Sequence, residues 1–207
     1  MDARTPDQPP GRWNVPPGRP VPAPTVDPGV APWLAERMFT QRIVLVQGPV
    51  DAAAANRVAA TLLTLDALGA EPVRLHLNAP RGELSAVFAL VDALDVMRAP
   101  VHATALGEVG GAAIGVYAAA RRRLAYPHSR FRLAEPGSDG VTGTADEVAA
   151  AAGHYLSALE DLVVRVAQVT GQPRSRVEDD FSAGRILGAA AAREYGLVDE
   201  IVAPPAR

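Results

Sequence analysis

Residues 107–115 read GEVGGAAIG, a glycine-dense corner with an extended run before it and an alanine-rich stretch after it. A sharp strand-to-helix corner of this kind is where a nucleophilic side chain is held toward a substrate. Gly111 stands where a serine is expected, so the purpose of the corner has to be read from the chain around it.

Working back from the corner, VHATAL (101–106) opens after Pro100 as a strand, and the segment from about 83 to 97 places Leu84, Val87, Val91 and Leu94 on one helical face. VRLHL (73–77) and RIVLV (42–46) are further strands, and between them Gly48 and Pro49 turn the chain into a helix that Asp51 caps and that turns Val58, Leu62 and Leu65 inward. WLAERMF (33–39) is a short amphipathic helix. Working forward, a helix follows the corner, RRR (121–123) reads as a solvated turn, and RFRLA (130–134) is a strand after Pro127. The glycine-rich EPGSDGVTGT (135–144) leads into a helix from about Ala145 to Thr170, whose apolar positions Val148, Ala152, Tyr155, Leu159, Leu162, Val166 and Val169 alternate steps of four and three. GAAAAREY (188–195) is a short helix, and LVDEIV (197–202) a last strand.

Strands and helices in regular alternation predict an α/β fold, a mostly parallel sheet with crossover helices outside it. Residues 1–32 differ in kind: ten of the nineteen prolines fall before residue 33, which removes backbone donors and predicts a disordered arm. The expected organisation is an arm over 1–32, one domain over 33–204 and a tail over 205–207.

Composition narrows the function. A formal net charge of −3 gives no basic excess for gripping nucleic acid. With no cysteine, thiol catalysis, disulfides and zinc–thiolate sites are excluded, and His76, His102, His128 and His154 lack ligand spacing, so neither a metal nor another cofactor is expected. No apolar run nears the roughly 18 residues that would span a bilayer, and the N-terminus lacks the order of a signal peptide, so a cytoplasmic protein is expected.

From about Leu34 to Val202 the chain resembles the ClpP family, the proteolytic subunits of Clp proteases, with its ClpP/crotonase-like fold. The resemblance is carried by RIVLVQGPVD (42–51), LNAPRGEL (77–84), ALGEVGGAAIG (105–115), YPHSRFRLAEP (126–136) and AAAREYGLVDEI (190–201). It implies a Ser-His-Asp triad, in which serine attacks a peptide carbonyl, histidine takes its proton and aspartate orients the imidazole. Matching the corner at Gly107 puts the serine position on Gly111. Matching Pro127, Ser129 and Arg130 puts the histidine position on Ala134, and counting back from Tyr195 and Gly196 puts the aspartate position on Gly184. All three side chains are missing, and loss of triad members costs about 10⁴- to 10⁶-fold in turnover. Ser85, Ser129, Ser138, Ser157, Ser175 and Ser182 lie outside the corner.

The resemblance also locates an oxyanion region, where the family's paired glycines become Arg81 and Gly82 and the N–H of Ala112 remains; Arg81 is positioned to fill the hole. Glu83, Glu108 and Glu135 stand near these motifs. One reading pairs one or more of them with Arg81 or Arg132 in a disused pocket, and the other makes Glu108 and Glu135 an acid/base pair for an acyl substrate, as in crotonase relatives. The resemblance further implies stacked seven-membered rings, with the long helix as a handle in which Val148, Ala152 and Tyr155 meet the partner ring. The leading expectation is therefore an inactive ClpP-like subunit of a homo- or hetero-oligomer with ClpP-type subunits, open to docking by an AAA+ unfoldase. A stand-alone oligomeric scaffold is the other non-enzymatic reading.

Overall fold

The computed structural model describes residues 30–137 and 142–203. Most of the proline-rich arm, the centre of the 135–144 loop with Ser138, and the 205–207 tail lie outside the described residues. The chain divides into two compact units, Met1–Glu36 and Arg37–Arg207, and every strand belongs to the larger.

The elements are α1 (Pro32–Thr40), β1 (Ile43–Gln47), α2 (Ala52–Leu68), β2 (Val73–Ala79), α3 (Leu84–Val96), β3 (Val101–Gly110), α4 (Ala113–Ala119), β4 (Arg122–Ala125), β5 (Arg130–Leu133), α5 (Ala145–Thr170), α6 (Arg174–Ser182), β6 (Arg185–Gly188), α7 (Ala189–Tyr195) and β7 (Glu200–Ile201). The expected α/β class holds. The strand order β1-β2-β3-β4-β7 is parallel throughout, β5 pairs parallel with the far half of β3, and β6 runs antiparallel to β5.

Local chemistry explains these elements. The Asp51 carboxylate accepts the Ala54 N–H at 2.7 Å and caps α2. Leu84, Val87, Leu90, Val91 and Leu94 of α3 are buried, as the helical spacing predicts. α5 begins with a reciprocal Thr144–Glu147 capping box and ends on Gly171 in the left-handed region. Along β2, Val73, Leu75, Leu77 and Ala79 are buried while Arg74 and Asn78 are exposed, so one sheet face turns to the core. Leu62, Leu65, Leu75, Leu77, Leu90, Ile114, Phe131 and Leu162 are fully buried at its centre.

β3 forks the sheet. Its first half, His102–Ala105, pairs with β4, and its second half, Glu108–Gly110, pairs with β5. The chain crosses between those neighbours at Ser129, which is buried and donates its hydroxyl to the Ala105 carbonyl at 2.8 Å. This helps satisfy a carbonyl at the point where the fork interrupts the ladder.

Four sequence expectations are corrected. RRR is not a free turn: Arg122 and Arg123 lie in β4, and their charges are answered by Glu200 and Asp199 at the adjoining β7. β3 runs past VHATAL to Gly110, because β5 supplies a partner for its glycine-containing end. The closing strand is confined to Glu200–Ile201, since pairing with β4 covers only Leu124 and Ala125. α6 and β6, which the periodicity did not predict, complete the region after α5.

Candidate functional site

Three strand ends meet where β3, β5 and β6 approach one another. The β3–β5 register pairs Gly110 with Arg132, and the Gly111 N–H donates to the Arg132 carbonyl at 3.0 Å. The antiparallel β5–β6 ladder closes on the pair Leu133–Arg185, so Ala134 and Gly184 are the residues just beyond its last pair. A Cβ at Gly111 would stand 3.8 Å from the Ala134 carbonyl oxygen and 3.9 Å from the Arg81 Cα. The fold thus sets Gly111 against the Ala134 backbone, with Gly184 next to the last pair of the β5–β6 ladder, from three separate stretches of sequence. None of them has a side chain that can attack, move a proton or orient a base.

The corner keeps its shape. Gly111 sits at φ +56°, the left-handed region that a glycine enters without strain, and α4 starts two residues later with Ala113 and Ile114 buried. Gly82 bridges Val50 in parallel, and a Cβ there would meet Val87 Cγ2 at 2.9 Å, Val50 Cβ at 3.2 Å and Ala113 N at 3.5 Å, so α3 and the start of α4 close in on it. The N–H groups of Gly82 and Ala112 donate to no protein acceptor among the described residues. Two such donors are the kind of group an oxyanion hole uses.

The Arg81 side chain is exposed and makes no hydrogen bond or ion pair among the described residues. The cation that answers Glu108 is Arg132, whose Nε lies 3.1 Å from Glu108 Oε1 while its Nη2 donates to the Pro80 carbonyl at 2.9 Å. Arg132 therefore ties the end of β3 to the segment after β2. Glu83 precedes α3 and makes no capping bond with its side chain.

Glu135 leaves the strand ends in another direction, into a cleft of about 420 Å³ lined also by Leu156, Leu159, Glu160, Val163, Glu178, Asp179, Phe181 and Ser182. Glu108 does not line it, so the two carboxylates are not presented to one cavity, which tells against an acid/base pair. The Glu135 N–H is held by the Phe181 carbonyl at 3.1 Å, which fixes the strand end against α6.

Shortly before Gly184 is a polar cluster that the sequence did not reveal. The buried Asp180 carboxylate accepts from Arg185 Nη1 at 2.9 and 3.1 Å and from the Tyr195 hydroxyl at 2.9 Å. Arg176 and Arg185 lie over the Tyr195 ring, at 5.5 and 5.7 Å from its centre. Burial, and then the bond to Asp180, push the Tyr195 phenol well above its ordinary range, so it stays a donor. The cluster locks the α6–β6 turn to α7. Only the short distance along the chain from Asp180 to the aspartate position gave any hint of it.

α5 divides into two halves. Leu162, Val163 and Val166 are buried in the core, whereas Val148 and Leu156 are exposed, Leu156 at 63%, Ala152 is exposed, and Tyr155 is half-buried with its hydroxyl on the Pro136 carbonyl at 2.7 Å. Among the described residues no helix is long and apolar enough to cross a membrane.

Comparison with known proteins covers the same span. A sequence model described as Clp protease matches residues 31–205. The ATP-dependent Clp protease proteolytic subunit 1 of Mycobacterium bovis is 33% identical over 170 residues, covering 81% of this chain and 84% of that protein. The proteins of the same name from Rhodococcus jostii and Thermobifida fusca are 29% and 27% identical over 169 residues, each covering 80% of this chain and 77% and 76% of their own.

Proposed function

The chain belongs to the Clp protease family, and we propose that it serves there as a subunit without peptidase chemistry of its own, shaping or regulating a proteolytic chamber built with active subunits. The observation that supports this reading is that Gly111, Ala134 and Gly184, the positions the family resemblance implies for the triad, stand at neighbouring ends of β3, β5 and β6 and carry no functional side chain. Acyl transfer needs a nucleophile with a base in hydrogen-bond reach and a group that orients the base. At these positions the chain offers two glycines and a methyl group. The free N–H groups of Gly82 and Ala112 could polarise a carbonyl, but with no attacking group that stabilisation has no developing charge to act on.

Assembly is the second part of the proposal. The first half of α5 exposes Val148 and Ala152 on a helix whose second half is core, and apolar surface of this kind is suited to a contact between subunits. We place the inter-ring contact there, in seven-membered rings stacked face to face. Such a subunit dilutes active sites, holds the ring geometry and offers a different face to a docking AAA+ unfoldase. The cytoplasm is the proposed setting.

The test is native mass spectrometry of the chain, alone and co-expressed with an active Clp proteolytic subunit of the same organism. Mixed seven- or fourteen-subunit masses are expected, and Val148→Glu with Ala152→Glu should dissociate rings from one another without changing the far-ultraviolet circular dichroism. A chain that stays monomeric and ignores the active subunit would overturn the assembly reading.

A further inference from the structure

The cleft between α5 and α6 has an uneven charge that the other described residues do not balance. Its apolar wall is Leu156, Leu159, Val163 and Phe181, with Val163 and Phe181 buried and Leu156 open to solvent. Four carboxylates surround that wall: Glu135, Glu160, Glu178 and Asp179. Among the described residues a single guanidinium answers them, that of Arg174, whose Nη2 sits 2.6 Å from Glu160 and 2.8 Å from Glu178. The side chains of Glu135 and Asp179 make no hydrogen bond or ion pair among the described residues. The cleft therefore holds as much net negative charge as the entire chain, whose formal charge is −3.

From this we infer that the cleft holds an extended peptide segment that presents an arginine or lysine beside an aliphatic side chain. Charge complementarity selects the cation: a basic group meets the unanswered Glu135 and Asp179, whereas an acidic one adds to the repulsion. Arg174 shows that the rim accepts a guanidinium across two carboxylates. The aliphatic neighbour covers Leu156 and Leu159. At about 420 Å³ the cleft admits two or three side chains but no folded element. Glu135 directly follows Ala134, and Phe181 and Ser182 lie just before Gly184, so the segment would rest beside the three empty strand ends. The inference rests on the noncatalytic reading for one point alone, that the held segment is released intact.

The experiment measures fluorescence anisotropy of two labelled peptides, ALRLAA and ALELAA, on the full chain and on the Glu135→Gln/Asp179→Asn double variant, with mass analysis of the peptide afterwards. Both substitutions are at exposed carboxylates without side-chain partners, so the fold is not at stake. The arginine peptide is expected to bind about tenfold or more tightly than the glutamate peptide, and to lose about fivefold or more on the double variant and on raising salt. Equal binding of the two peptides, no binding of either, or an unchanged affinity on the double variant would overturn the inference. Intact peptide without binding leaves the noncatalytic reading standing. Bound peptide that is cut overturns that reading while keeping the cleft.

Discussion

Gly110 and Gly111 are neighbours in the corner, yet a side chain should affect them very differently. At Gly110 a Cβ would meet the Pro80 carbonyl oxygen at 2.5 Å and the Arg132 Cβ at 3.3 Å. The first obstacle is backbone, and it is the carbonyl that accepts from Arg132 Nη2. Alanine there must push two strand ends apart, an overpacking cost of about 1–3 kcal/mol. Displacing the charged hydrogen bond adds about 1.5 kcal/mol, the low end for a half-exposed group. At Gly111 the nearest atoms are at 3.8 and 3.9 Å, ordinary contact, so the cost of a serine comes from φ +56° alone. That is about 1–2 kcal/mol, partly offset by the lost freedom of glycine in the unfolded chain. With about 2–4 °C per kcal/mol for a chain of this size, Gly111→Ser should lower the melting temperature by roughly 2–4 °C, and Gly110→Ala by roughly 5–18 °C. Thermal melts followed by circular dichroism at one protein concentration measure both. If Gly111→Ser proves as damaging as Gly110→Ala, then the fold itself demands glycine at 111, and the position is not a vacated catalytic one with room for a serine.

Other substitutions test the supporting contacts. Asp180→Asn should cost about 2–3 kcal/mol in urea denaturation, below the usual value for breaking a buried pair because Arg185 is partly exposed; Tyr195→Phe should cost about 1 kcal/mol, and the double variant less than the sum. Glu108→Gln should cost no more than about 0.5 kcal/mol because both partners are half-exposed, while Arg132→Met, which also strips the Pro80 carbonyl, should cost about 1–2 kcal/mol. Burial opposes ionisation of Asp199, but hydrogen bonds from the Arg123 side chain and backbone, with the Arg123 and Arg122 charges, outweigh it and hold its carboxyl below the ordinary value. A depressed carboxylate stabilises the fold above its unfolded pKa and loses that contribution as pH falls through the lower folded one. Denaturation midpoints should therefore fall on acidification below about pH 4, and less steeply in Asp199→Asn; equal slopes would contradict the pairing.

The core elements were legible in the sequence because their apolar spacing is strong: Leu84, Val87, Val91 and Leu94 in α3, and Leu162 and Val166 in α5, are buried as their period requires. α6 was not legible because RSRVEDDFS offers only Val177 and Phe181 as apolar residues, and both are buried while nearly everything around them is polar. β4 was hidden by three consecutive arginines. What makes a strand of them is Asp199 and Glu200, some 76 residues further on, which no local pattern reports. The three strand-end positions follow from the family resemblance alone, by counting from the matched residues Gly107, Pro127 and Tyr195. The Arg132 tie and the Asp180 cluster came only from the fold, because partners such as Tyr195 and Asp180, 15 residues apart, or Arg132 and Pro80, 52 apart, leave no periodic trace.

The claim that the site has lost its chemistry is tested most directly by peptide turnover of the native chain, purified from a host lacking its own Clp peptidase. The account predicts no hydrolysis above that of the Gly82→Val variant or of buffer, and no labelling by a serine-directed fluorophosphonate. Sustained turnover that copurifies with the chain, or stoichiometric labelling of one serine, would contradict it.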